Sequence, residues 1–448
     1  MNLLKYTLFV LITLVLATIM VSCGGDEADN SNEPDENQAP IIEIQSFTIL
    51  ETIAPETVIG TVAATDVDTD EITFSITTND NDLFSLTRSG VLSLASGRRL
   101  DFETAQSHTI LVQVSDGELS ATVEVTIHIT NVDEPFVTTW KTMTADESIT
   151  IPTNSSYAYD YTVDWGDGTI DENLTADAVH TYLAAGTYTV SISGTFPAIY
   201  FNSASTSDKN KIISIEQWGD IRWETMNRAF QGCSKLTYNA TDAPDLSSVT
   251  DISFMFAGAA SMNGDLSKWN VSNVTDMGSV FNGASSFNGA IGNWDVSSVT
   301  SMILMFSKAT SFNQDLNNWD VSKVTNMREM FSRATSFNGD VSSWNVENVQ
   351  NMYSMFYIAS SFNQDISNWK VGKAGDMSYM FSNATSFNQK LNNWDVSQAT
   401  NMRDMFANAL SFSQDLSGWA TDNVTKCTDF AKNSGLLPEQ LPTAGDCL

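Results

Sequence analysis

Seven tryptophans recur every 25 residues with nothing inserted or lost: Trp269, Trp294, Trp319, Trp344, Trp369, Trp394 and Trp419. A branched apolar residue stands three before each one (Leu266, Ile291, Leu316, Val341, Ile366, Leu391, Leu416). Val or Ala follows at five, Met at eight (Cys427 in the last copy) and Phe at twelve, from Phe281 to Phe406. A fixed period of this kind means stacked coils, because each coil must land on its neighbour at the same place and an insertion would break the register. One coil cannot bury its own Trp, Met and Phe, whereas stacked coils turn each column of like side chains into continuous core. That placement in a strict apolar skeleton argues for buried indoles rather than a sugar-stacking ladder. The pattern predicts a solenoid of short strands (at segments such as "DLNNW") and helical turns (at segments such as "MFSKA"). At about 4.8 Å per coil the stack would run roughly 30 to 35 Å. Asn288, Asn313, Asn338, Asn363 and Asn388 are expected to hydrogen-bond the turn backbone from coil to coil.

Positions nine and ten after each tryptophan vary while their surroundings do not, and a rigid ladder with changing residues makes a binding surface. Arg328, Tyr353, Tyr379 and Arg403 are the candidate ligand-face residues. The 54 Asp and Glu against 21 Lys and Arg give a formal charge of −33, which disfavours nucleic acid and anionic lipid and suits a secreted chain that attracts cations. Only His108, His128 and His180 are present, without a phosphate loop or zinc spacing, so an enzyme is not expected.

Two strand-rich stretches precede the array. In "EITFSIT" and "ATVEVTIHIT", Ile72, Phe74, Ile76 and Val123, Val125, Ile127, Ile129 alternate with polar residues, the period of half-buried sandwich strands. "YAYDYTVDWGDGT" and "GTYTVSISG" alternate likewise, with Gly166 and Gly168 around Asp167 in a tight turn. At the N-terminus Lys5 and an apolar run from Leu8 to Val21 precede "SCGG", too short to span a membrane and read as an export signal. In an oxidising compartment Cys427 and Cys447 could form a disulfide stapling the C-terminus, while Cys233 reads as a small buried residue.

Several segments resemble known families. Met20, Val21, Ser22 and Cys23 resemble a bacterial lipobox, which implies a lipid on Cys23 and an anchored protein on the outer membrane or cell surface of a Gram-negative bacterium. "ATDVDTD", "LDFE", "VSDG" and "NVDEP" resemble the elements of a cadherin repeat. That resemblance implies calcium held by Glu51, Asp101, Glu103 and Asp133 at one end, and by Asp66, Asp68 and Asp116, with Asp35 and Asn37, at the other. "VDWGDGT" with "HTYLAAGTYTV" resembles a polycystic-kidney-disease-type (PKD) domain. The array, with "AFQGCSKL" in its first coil, resembles the BspA-like leucine-rich-repeat bacterial surface proteins.

The expected chain is therefore multidomain: a lipoprotein signal peptide at 1–22, an acidic tether at 23–38, a cadherin-like all-β sandwich at 39–135, a PKD-like sandwich at 136–208, and a leucine-rich-repeat solenoid with caps at 209–448. Such a chain implies adhesion to, or recognition of, an extracellular protein or glycan, with the sandwiches as spacers. A glycan-capture accessory to polysaccharide uptake, or a structural spacer, is the competing reading.

Overall fold

The computed structural model describes residues 36–443 except 69, 70, 103 and 203. The expected signal peptide, Cys23, Asp35, Glu103, Cys447 and most of the tether lie outside the described residues. Among those described, nearly all regular structure is β, the exceptions being the four-residue helix Thr206–Lys209 and two 3-10 turns. Among the described residues no helix is long and apolar enough to cross a membrane. The chain divides into two compact units, Met1–Asn131 and Val132–Leu448.

The first unit holds β1 (Ile41–Ile42), β2 (Gln45–Leu50), β3 (Val58–Thr61), β4 (Ala64–Thr65), β5 (Thr73–Thr78), β6 (Phe84–Leu86), β7 (Val91–Leu94), β8 (Ser107–Ser115) and β9 (Ser120–Thr130). A four-stranded sheet runs β2-β9-β8-β5, with β2 parallel to β9, and a three-stranded sheet runs β3-β7-β6. Alternation places Ile110, Val112 and Val114 of β8 and Val125, Ile127 and Ile129 of β9 in a core with Phe74, Phe84, Leu92 and Leu94.

The second unit begins with β10 (Phe136–Thr142), β11 (Glu147–Ile151), β12 (Asp160–Asp164), β13 (Ile170–Leu174), β14 (Ala178–Tyr182), β15 (Gly186–Thr195), β16 (Ile212–Gln217) and β17 (Thr237–Tyr238). Tyr159, Tyr161, Val163 and Trp165 are buried, as their alternation requires. Gly166 turns with φ +75°, and a Cβ there would lie 2.2 Å from the Thr189 carbonyl oxygen, so only glycine fits. β16, which lies beyond residue 208, pairs with β10, and β17 pairs with β16 in parallel, so one six-stranded sheet runs from the sandwich into the first coil. One apolar core likewise extends from Phe136 to Phe430.

The coils differ in detail from the sequence expectation. The segment after each tryptophan is a run of turns rather than a helical turn, and the strands expected at "DLNNW" are absent. Isolated parallel bridges join the coils instead, Asp276 to Ser301, Ser301 to Asn326, and so on to Asn401 with Lys426. The amides explain why. Met302, Leu304, Phe306 and Lys308 donate to the carbonyls of Asn326, Arg328, Met330 and Ser332 in the next coil at 2.7–3.2 Å. The intervening Met305, Ser307 and Ala309 donate to the carbonyls three residues back in their own coil. A helix would consume every amide internally and a strand would release none to its own turn. The alternation needs left-handed backbone at two positions per coil: Leu304 and Lys308 (φ 59° and 61°), Glu329 and Arg333, Ser354 and Ile358, Tyr379 and Asn383, Asp404 and Asn408.

Side chains stack on this frame. The repeat tryptophans are 2–4% exposed, and successive indoles lie nearly parallel, as in Trp294–Trp319 at 6.5 Å and 1°. From Trp294 onward each indole Nε1 donates to a carbonyl 28 residues earlier, Trp344 to Leu316 at 2.8 Å. A second phenylalanine column, Phe287 to Phe412, packs against the first, with Phe306 and Phe312 4.0 Å apart. The asparagine ladder forms: Asn288 Oδ1 accepts the Asn313 amide at 2.9 Å, and Asn313 Oδ1 the Asn338 amide at 2.7 Å.

Trp344→Ala should lose about 3–5 kcal/mol in denaturant unfolding through the cavity left by the indole and the loss of its hydrogen bond to the Leu316 carbonyl, which keeps only the Trp319 amide. A loss under 1 kcal/mol would contradict the stacked-core account. Ile358 is the β-branched residue among these left-handed positions, at φ 58° where Asn383 and Asn408 stand in later coils. Ile358→Asn should therefore raise stability by about 1 kcal/mol, seen as a higher denaturation midpoint.

Candidate functional site

The acids expected to ring calcium in the first unit do not converge among the described residues. Among the described residues no group of three or more His, Cys, Asp or Glu stands close enough to hold a metal. The carboxylates instead accept backbone amides, Asp66 and Asp101 within their own loops and Asp68 and Glu51 from segments 30 and 51 residues away. Asp66 Oδ1 accepts the Asp68 amide at 2.8 Å, and Asp68 Oδ2 accepts the Gln38 amide at 2.7 Å. Buried Glu51 accepts the Phe102 amide through Oε2 at 2.8 Å, and Asp101 accepts the amide and hydroxyl of Thr104, both at 2.9 Å. Asp133 lies in the second unit.

One end of the first unit retains spare oxygen donors. Asp116 Oδ1 accepts the amides of Leu119 and Glu118 at 2.7 and 2.8 Å, and the Leu119 amide above all holds this carboxyl below the usual carboxylate range. An open cleft of about 520 Å³ beside it is lined by Asn37, Glu71, Thr73, Asp116 and Glu118. Asn37 Oδ1 and Asp116 Oδ2 are buried with no hydrogen-bond partner among the described residues. Oxygen donors short of partners, with further carboxylates on the rim, are the chemistry a hard divalent cation takes. Sequence reasoning missed Glu71 and Glu118, although Glu118 lies two residues beyond Asp116 on one turn.

The four ligand-face residues do come together. Arg328 lies over the Tyr353 ring at 5.0 Å and Arg403 over Tyr379 at 5.8 Å, with the two rings edge to face at 5.8 Å. Arg328 Nε donates to Glu329 Oε1 and Arg403 Nε to Asp404 Oδ2, each at 3.0 Å. Arg333 over Tyr357 at 5.4 Å, with Tyr357 6.3 Å from Tyr379, extends the cluster. Arg333 sits fourteen residues after Trp319, at the second left-handed position itself, and Tyr357 thirteen after Trp344, just before the left-handed Ile358, and that backbone state leaves no mark in the sequence.

His180 Nε2 lies 2.8 Å from Asp167 Oδ2 and stacks on Trp165 at 4.9 Å, a packing arrangement of the second sandwich. Cys233 is buried and free, and Cys427 is disulfide-bonded.

A family described as "Mycoplasma protein of unknown function, DUF285" matches residues 201–295, 224–344, 260–369 and 333–441, together more than half of the 448 residues. The cadherin domain family matches residues 45–130. Similar solved structures include human protocadherin-24 EC1-2 (21% identity, 25% of this chain and 53% of that one, TM-score 0.21) and Drosophila N-cadherin EC1-3 (24%, 21% and 35%, 0.20). The third cadherin domain of human protocadherin 7 is also similar (22% identity, 23% of this chain and 95% of that one, TM-score 0.20). This chain thus spans about half of the first of these and a third of the second. No curated protein sequence matches it.

Proposed function

Because the chain belongs to the family described as Mycoplasma protein of unknown function, DUF285, and carries a cadherin-like domain as well, we propose that it is a surface protein of the adhesion or recognition type. Its coil stack contacts an extracellular protein or glycan, and its sandwiches act as spacers. The observation that carries this reading is the division of labour in the stack: invariant columns are buried, and a half-exposed strip displays Arg328, Tyr353, Tyr379 and Arg403 on stiff backbone. Binding rather than catalysis is the role, the coil is of leucine-rich-repeat type, and the second sandwich is PKD-like. A lipid on Cys23 tethers the chain to the outer membrane or cell surface.

Calcium is part of the proposal. Asn37 Oδ1 and Asp116 Oδ2 would hold it, with Glu71 and Glu118 on the rim of the cleft, and it would supply charge neutralisation there. Calcium should raise the melting transition of the first unit, and Asp116→Asn should abolish the shift. A transition unchanged by calcium in the parent chain would remove the ion from this account. For the main reading, the full chain is passed over an array of matrix proteins and glycans. Saturable capture of at least one is expected, and a blank array sinks the reading.

A further inference from the structure

Resting on the recognition reading, we propose that the arginine–tyrosine island is a binding site for an anionic glycan, a saccharide segment bearing carboxylate or sulfate groups. Four of the eight arginines in the chain lie over aromatic rings along the stack, and three of those four, Arg328, Arg333 and Arg403, are gathered here with Tyr353, Tyr357 and Tyr379. The rings are half-buried and packed edge to face, so they form a fixed floor. The guanidinium groups are exposed, 52% for Arg328 and 57% for Arg403. Glu329 and Asp404 each hold an Nε, which aims the head group, while the terminal nitrogens of both arginines make no hydrogen bond among the described residues.

These parts match a charged sugar. The terminal guanidinium nitrogens form a fork that fits carboxylate or sulfate. The exposed margin of a tyrosine ring, beside the guanidinium that lies over it, meets the apolar C–H side of a pyranose while its hydroxyl meets the sugar hydroxyls. Arg328 and Arg403 stand three coils apart, about 14 Å at 4.8 Å per coil, which is the reach of a few sugar units. A protein partner fits less well. Three coils by one strip offer a few hundred Å² at most, against about 800 Å² per partner in a stable interface. No large apolar side chain is exposed between Ile303 and Asp404. The formal −33 does not close the site to an anion, since at physiological salt charges are screened within about 8 Å. It does favour a short, sparsely charged segment over a dense polyanion such as nucleic acid.

The test is isothermal titration of the full chain with an oligogalacturonate, a chondroitin sulfate hexasaccharide and a neutral cello-oligosaccharide at about 0.15 M salt. At least one anionic oligomer should bind and the neutral one should not; which anion binds separates carboxylate from sulfate. The R328Q/R403Q double variant should bind about tenfold or more weakly with an unchanged melting transition, and Tyr353→Phe should retain more affinity than Tyr353→Ala. The proposal fails if neither anionic oligomer binds, or if the double variant binds as tightly as the parent. If neither anionic oligomer binds while the array yields a partner that the double variant still captures, this site falls and the recognition reading stands. A blank array with no oligosaccharide binding would sink both.

Discussion

Between Met302 and Ala309 the backbone splits its amides between two tasks, every second one reaching into the next coil and the others closing turns at home. The period follows from that split. An extra residue would exchange the two sets of donors, turning buried methionine and phenylalanine outward and leaving inter-coil acceptors unmet, which is costly in an interior. The residues that vary from coil to coil are largely the left-handed ones, such as half-buried Leu304 and Glu329 and exposed Lys308 and Arg333, while the Met and Phe columns between them stay buried.

Each end of the stack is closed by a different device. At the near end, sandwich and coils share a sheet and a core, and the Tyr238 hydroxyl accepts both Trp218 Nε1 at 2.9 Å and Trp269 Nε1 at 3.2 Å. The indole ladder therefore starts from a side chain of the sheet. At the far end Phe430 meets Phe406 at 84° where earlier rings lie within about 10° of parallel, as in Phe381–Phe406. Stacking stops because the next ring turns its edge, and a disulfide-bonded Cys427 stands where six coils carry methionine.

Much of this was legible in the sequence because columns obey a period, and a period survives without knowledge of the backbone. The buried tryptophans, the asparagine ladder and the meeting of Arg328, Tyr353, Tyr379 and Arg403 all follow from counting residues. Turn geometry was not legible. "MFSKA" has helix-like spacing, but two left-handed residues per coil decide the outcome, and Lys308, Arg333 or Ile358 at such a place gives no warning, as glycine would. The cadherin-like elements matched by type and order, yet type does not say whether a carboxylate is spent on its own loop, as Asp101 is on Thr104. Part of the acidity has the same origin. Asp295, Asp320 and Asp395 sit below the usual carboxylate range chiefly because the hydroxyl of the serine two residues on hydrogen-bonds them, so the charge read as a clue to partners also shapes turns.

Because every coil meets its neighbour in the same way, the junction left by removing one repeat is chemically the junction that was there before. In-frame duplication or loss of a whole unit can then lengthen or shorten the molecule without composing a new core. Evolution can set how far the arginine–tyrosine island stands from either end by copying DNA rather than by redesigning packing.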